Sequence, residues 1–277
     1  MRTLRLPSGQ SIPALGLGTW RMGENPSNAS SEVAALRHGL DLGINLIDTA
    51  EMYGEGGAEA VIAQAIADRR HAVFLVSKVY PHNATRQGTI AACERSLQRL
   101  KTDYLDLYLL HWRGGVSLSS TLEAFQVLKQ SGKIRDYGVS NFSPEDMEEA
   151  SKLPGGAGIA TNQVLYNLMR RGVEWDLLPW CRNHGLPVMA YSPVEQGRLL
   201  KNPKLQAIAQ QRGVTPAALA IAWLLHQDNI IVIPKSSSIA HVEENRAALD
   251  LQLSVDDLAA LDAAFPPPTK RVALEML

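Results

Sequence analysis

Eight short apolar runs, each followed by an amphipathic stretch, predict an α/β protein: an eight-stranded parallel β/α (TIM) barrel with an N-terminal β-hairpin and an extra C-terminal helix. Three observations carry this prediction. Most of the runs are apolar throughout rather than alternating, as expected for strands covered on both faces. The stretches between them are long enough for crossover helices. Polar residues of complementary chemistry stand where the runs end. A doubly wound open sheet shares the alternation and is the competing architecture.

The elements follow in order. Thr3–Arg5 and Gln10–Ile12 flank Ser8-Gly9 and read as a hairpin plugging the barrel floor. Strands are predicted at Leu15–Gly18, Asn45–Asp48, Val73–Lys78, Tyr104–His111, Asp136–Ser140, Ala160–Val164, Val188–Tyr191 and Ile230–Pro234. Ser30 or Ser31 is placed to cap the first long helix, where Val33, Leu36 and Leu40 share a face and Gly43 ends it. Ile90, Cys93, Leu97 and Leu100 form a second such face, and Val255–Phe265 reads as the extra helix. The densest breaker cluster, Pro154–Gly158, suits a loop, so residues 1–277 read as a single domain.

Composition narrows the class. The 277 residues are 45% apolar and 20% charged, with 27 Lys and Arg against 28 Asp and Glu, which excludes a disordered chain. A net charge of −1 argues against a nucleic-acid partner. The longest strongly apolar stretch, Ala217–Leu225, is less than half of the ~20 residues that cross a bilayer, so no membrane partner is expected. Two cysteines and no signal-like N-terminus fit a cytoplasmic protein. A monomer is expected. Cys93 and Cys181 lie on apolar helical stripes and read as packed thiols, and Trp175, Trp180 and Trp223 as helix packing. The seven histidines are dispersed, so no metal site is expected.

Asp48, Lys78, His111, Ser140, Tyr191 and Lys235 each stand at or just beyond a predicted strand end. In a β/α barrel those ends converge on one rim, where catalytic groups are built. A single Asp after a strand is ordinarily a cap; complementary endings on different strands are not explained that way. Asp48 and Lys78 are expected to pair, with Tyr53 against the ammonium. That cation is expected to bring the phenol down from its ordinary pKa of ~10, so that Tyr53 protonates a developing alkoxide. His111 can orient the same oxygen. The set suits carbonyl reduction but supplies no hydride. No Rossmann glycine fingerprint, Walker loop or nucleophile elbow is present; Gly54-Glu-Gly-Gly57 lacks the third glycine.

These residues resemble the aldo-keto reductases, β/α-barrel carbonyl reductases that use NADPH. The segments are Leu15–Trp20, Leu46-Ile-Asp-Thr-Ala-Glu-Met-Tyr53-Gly, Val76-Ser-Lys78 and Leu105–Trp112, and the likeness runs to the last helices. Within the family the chain is most similar to the prokaryotic reductases of methylglyoxal and other small aldehydes. The resemblance makes Tyr53 the general acid, Asp48 and Lys78 its tuners, and His111 the carbonyl-positioning residue. It assigns Ser140, Asn141 and Gln163 to the nicotinamide carboxamide, Tyr191 to the ring face, and Ser192, Gln196 and Gly197 to a pyrophosphate clamp. Lys235 and Ser236 would hold the adenosine-side phosphates, and Glu244 and Asn245 the adenine. Gly18, Thr19 and Trp20 would border the ribose and nicotinamide.

Two departures stand out. His241 occupies the place, six residues after the Lys, where the family usually grips the 2′-phosphate with Arg. NADPH is still expected as cofactor, with NADH a weaker alternative. The tail Thr269–Leu277 is short, so an open pocket is expected, walled by Trp20, Tyr80 and Trp112, for a small-molecule carbonyl substrate. Two rival functions share these residues. One is a Schiff-base aldolase using Lys78 or Lys235; the other is a regulatory subunit that binds NADPH and reports redox state.

Overall fold

The computed structural model describes residues 2–277. Ten strands occur in chain order: β1 (Thr3–Arg5), β2 (Ser11–Pro13), β3 (Gly16–Gly18), β4 (Leu46–Asp48), β5 (Phe74–Val79), β6 (Leu105–Leu110), β7 (Ile134–Ser140), β8 (Ile159–Leu165), β9 (Val188–Tyr191) and β10 (Ile230–Ile233). The helices are α1 (Ala29–Asp41), α2 (Gly57–Ala65), α3 (Arg86–Leu100), α4 (Leu118–Gln130), α5 (Pro144–Ser151), α6 (Leu177–Asn183), α7 (Pro203–Gln211), α8 (Pro216–His226), α9 (Ile239–Ala247) and α10 (Val255–Ala264).

Strands β3 to β10 pair in sequential order, every pair parallel. The two end strands then meet: Leu15 bridges Val232 and Gly18 bridges Lys235, with Gly18 N–H donating to Pro234 O at 2.9 Å. The sheet is therefore a closed barrel, and the doubly wound alternative falls. Closure needs close backbone approach at Gly18, where a Cβ would come within 3.0 Å of Ile233 O. The hairpin pairs β1 with β2 antiparallel through a turn with Gly9 at φ +87°, its second arm one residue later than predicted. Ser8 Oγ donates to Asp136 Oδ2 at 2.6 Å, and Leu6 and Ile12 join the barrel's interior cluster, so the hairpin closes the floor.

Strand periodicity places the site. Side chains alternate across a strand, so an inward residue is followed by another two positions later. Leu46, Val76, Leu109, Met189 and Ile233 fill the interior, and the next inward positions are Asp48, Lys78, His111, Tyr191 and Lys235. On β8 the interior Ala160 is followed by Gln163, three positions on; the β7–β8 register shifts beside Val139, which changes the parity.

The helices cover the outside of the sheet. Helix α1 starts upstream of the expected Ser30 or Ser31 cap. A short 3-10 turn at Pro26–Asn28, capped by Asn25 accepting from Ser27 N–H at 3.0 Å, leads straight into it, so both serines lie inside the first turn. Gly43, at φ +84°, ends it as expected. Cys93 and Cys181 are buried, and burial pushes both thiols up to about 12. Trp223 is buried as expected, but Trp175 is 48% exposed and does not serve helix packing. No helix among the described residues is long and apolar enough to cross a membrane.

Candidate active site

Lys78 and Asp48 sit on neighbouring strands, facing inward at the rim. Lys78 Nζ donates to both Asp48 oxygens, at 2.9 and 2.8 Å, and to Thr49 O at 2.7 Å. Lys78 is 0% and Asp48 2% exposed, so the pair is sealed from water. Three acceptors around one ammonium offset much of the desolvation that buries it. Burial lowers the Lys78 pKa, and Asp48 opposes that shift. Gln163 Nε2 donates to Asp48 Oδ1 at 2.8 Å, and Thr19 Oγ1 donates to Asp48 O at 2.9 Å.

Tyr53 stands above this pair. Its loop is held by a chain crossing: Gly23, at φ +75°, touches Gly57, and a Cβ there would lie 2.2 Å from the Gly57 carbonyl carbon. Only glycine fits so close a contact at that φ. The Lys78 Nζ lies 5.1 Å from the Tyr53 ring centre, and the His111 ring meets Tyr53 edge-on at 5.7 Å and 73°.

The expected depression of the Tyr53 pKa is overturned. Burial first, then the Asp48 carboxylate and Tyr191, push the phenol well above its ordinary value. The Lys78 ammonium lies 5.1 Å from the ring centre, yet burial and the Asp48 carboxylate set the direction. Tyr53 therefore stays protonated, which is the form a proton donor needs. Burial, then the Lys78 charge, pull His111 down to about 2, so its imidazole is neutral at physiological pH.

Beside the tetrad is a polar patch. Ser140 Oγ donates to Gln163 O at 2.8 Å; Asn141 Nδ2 donates to His111 O at 3.1 Å and to Ser140 Oγ at 3.2 Å. Tyr191 OH donates to Asn141 Oδ1 at 3.0 Å. Ser140, Asn141, Gln163 and Tyr191 are thus brought together. The loop beyond Tyr191 is left-handed at Ser192, Glu195, Gln196 and Gly197, with φ of +53°, +51°, +54° and +86°. A Cβ on Gly197 would meet nothing within 4 Å, so that backbone faces open space.

Farther round the rim, Lys235 Nζ reaches Ser237 Oγ at 3.4 Å, while Ser236 Oγ bonds within its own turn to Ser238. His241, Glu244 and Asn245 share one face of α9 by their spacing, with His241 exposed and Asn245 buried. Of the residues assigned to the ribose, Gly18 closes the barrel and Trp20 is exposed under the Arg21 guanidinium, 4.4 Å above its ring. Thr19 is fully buried with its hydroxyl spent on Asp48 O, so it braces β4. Tyr80 and Trp112 pack at 5.1 Å, and Trp112 lies 5.0 Å from His111, forming an aromatic wall beside the tetrad.

The short tail is held against the barrel. Arg271 pairs with Asp176 at 2.7 Å and with Glu145, Glu275 pairs with Arg170, and Leu274 packs on the core. The tail is therefore tied along the barrel by ion pairs and apolar contact. Sequence reasoning also missed Glu195, buried within the left-handed loop, and Asn167 and Arg170, buried and part-buried against it. Their only signal was polar residues just past the β8 and β9 runs, ordinary for turns.

Fold and site together define a β/α-barrel enzyme with a Tyr–Lys–Asp–His constellation at the C-terminal rim. Residues 14–265 match the model of the Aldo/keto reductase family, and the chain belongs to that family of oxidoreductases. It is 53% identical over 272 residues to methylglyoxal reductase YeaE of Escherichia coli (strain K12), covering 96% of each chain. Glyoxal reductase of Bacillus subtilis (strain 168) is 35% identical over 262 residues, covering 94% of this chain and 92% of that one. Among solved structures, an aldo/keto reductase from Klebsiella pneumoniae in complex with NADP and acetate superposes with a TM-score of 0.96 at 51% identity, covering 99% of both chains.

Proposed function

We propose that this protein reduces methylglyoxal and other small reactive aldehydes to alcohols with NADPH, Tyr53 donating the proton. The carrying observation is that a protonated Tyr53 and a neutral His111 share one rim above a sealed Lys78–Asp48 pair. The names of the E. coli and B. subtilis relatives support the substrate class, and the Klebsiella complex supports the cofactor.

The residues present fit a nicotinamide dinucleotide. Ser140, Asn141 and Gln163 offer the mixed donors and acceptors an amide needs, the neutral Tyr191 ring offers a face, and the left-handed 192–197 loop offers a cradle of backbone. Lys235 and Ser236 would hold the phosphates of the adenosine side, with His241, Glu244 and Asn245 beside them. When bound, such a cofactor supplies the hydride.

The chain's own residues do the rest. His111 hydrogen-bonds the carbonyl oxygen without bringing charge. Tyr53 gives its proton to that oxygen as it becomes an alkoxide, a base strong enough to take it even from a phenol of raised pKa. The Lys78 ammonium steadies the phenolate left behind, and Asp48 keeps that ammonium charged. Trp112 and Tyr80 exclude water on one side and suit small or planar aldehydes. The aldolase reading is disfavoured for Lys78, a fully buried ammonium with three hydrogen-bond acceptors already in place, and for Lys235 borohydride trapping decides it. Initial rates with NADPH and NADH against aldehydes, ketones and dicarbonyls test the proposal. NADPH-dependent reduction of methylglyoxal is expected; imine trapping by borohydride without cofactor oxidation would overturn it.

A further inference from the structure

We propose that Glu195, held by Asn167 and Arg170 and braced through Glu275 of the tail, is a positioning residue that fixes the 192–197 loop and thereby sets the rate of NADP(H) release. This rests on reading that loop as the cofactor clamp. Glu195 is a carboxylate with no exposed surface, inside a turn that needs no charge. Arg170 Nε donates to its Oε1 at 3.0 Å, Arg198 Nη2 at 2.9 Å, and Asn167 Nδ2 donates to Oε2 at 2.8 Å. Asn167 is itself fully buried and spends every side-chain bond: its second Nδ2 hydrogen goes to Ser192 O at 2.9 Å, and its Oδ1 accepts from Met169 N–H at 2.8 Å. Both ends of the turn that follows Tyr191 are thus tied to one asparagine.

The barrel does not require this network. The β8–β9 ladder already ends at Leu165 and Tyr191, before Asn167 and Ser192 begin. What the network does is over-determine a strained loop. Ser192, Glu195 and Gln196 are non-glycine residues at positive φ, a conformation that persists only where surroundings enforce it. The outer end of the network is the tail, since the Arg170 guanidinium is shared between Glu195 and Glu275. Three segments distant in sequence therefore meet on one side chain. Loosening any of them lets the loop relax toward ordinary φ and away from whatever it covers.

Rapid-mixing fluorescence, chasing bound NADPH into excess NADP, reads the release rate in the wild type, Glu195→Gln and Glu275→Gln. A hydrogen bond to a charged group contributes enough for about a tenfold change in rate, so Glu195→Gln is expected to release NADPH at least about tenfold faster. Glu275→Gln, on the outer and part-exposed end, is expected to move in the same direction by a smaller factor. The aldehyde kcat/KM at saturating NADPH stays unchanged in both, because release follows chemistry, and a general loss of structure would not leave it intact. Wild-type release rates in Glu275→Gln and in a folded Glu195→Gln, with NADPH binding retained, would overturn the inference. Should Glu195→Gln not fold, Glu275→Gln decides alone. A wild-type protein that binds no NADPH at all removes the clamp reading and the inference with it.

Discussion

Replacing Lys78 by Met, alone and together with Asp48→Asn, separates what the buried pair does for stability from what it does for catalysis. Lys78→Met leaves the Asp48 carboxylate at 2% exposure with its ammonium gone and only Gln163 Nε2 still donating to it. Removing one member of a buried pair costs about 3–5 kcal/mol, most of it the stranded charge. In the double variant no charge remains and Gln163 keeps an acceptor, so at least about half of that loss should return. Catalysis should not return. The ammonium lies 5.1 Å from the Tyr53 ring centre, and at an effective dielectric of about 20 its attraction for a phenolate there is about 3 kcal/mol, or roughly two decades in rate. Urea denaturation gives the stabilities and initial rates with NADPH give the activity. A double variant that regains near-wild-type turnover would show that the Lys78 charge does not act on Tyr53. A double variant no more stable than Lys78→Met would show that the two side chains are not coupled.

Tyr53→Phe should fold and bind NADPH but lose carbonyl reduction by at least about 10²-fold, the lower end of what a general acid contributes; near-normal turnover would remove Tyr53 from its role. If His241 faces the 2′-phosphate as proposed, His241→Arg puts a charged fork in place of a ring and should tighten NADPH by about one to two decades with little effect on NADH, read by quenching of tryptophan fluorescence; equal tightening of both cofactors would place His241 elsewhere. His111 has a folded-state pKa of about 2 against ~6.5 unfolded, so below ~6.5 the unfolded chain takes up the proton first. Its contribution is complete above that pH and falls by at most ~1.4 kcal/mol per unit toward pH 2; urea midpoints of wild type and His111→Gln should converge as pH falls, and parallel profiles would contradict a buried neutral imidazole.

Much of the rim was legible in the chain, because strand alternation and strand termination are local. An apolar run that stops at Asp48, Lys78, His111 or Tyr191 fixes where an inward polar side chain reaches the rim, whatever the rest of the molecule does. The hairpin floor was legible for the same reason, from its turn residues. The helix cap at Asn25 was less so, since Ser30 and Ser31 carry the same signal and only backbone geometry chooses among them. The direction of the Tyr53 pKa was not legible at all. It depends on how much water reaches the ring and on where the Asp48 carboxylate stands relative to the phenol, and both follow from packing between segments far apart in the chain. Gln163 reaches Asp48 across 115 positions, and Glu275 reaches Arg170 across 105. Local pattern determines which chemistry stands at the end of each strand, whereas solvent exclusion and choice of partner are properties of the closed barrel, because only closure brings such distant groups within hydrogen-bond range.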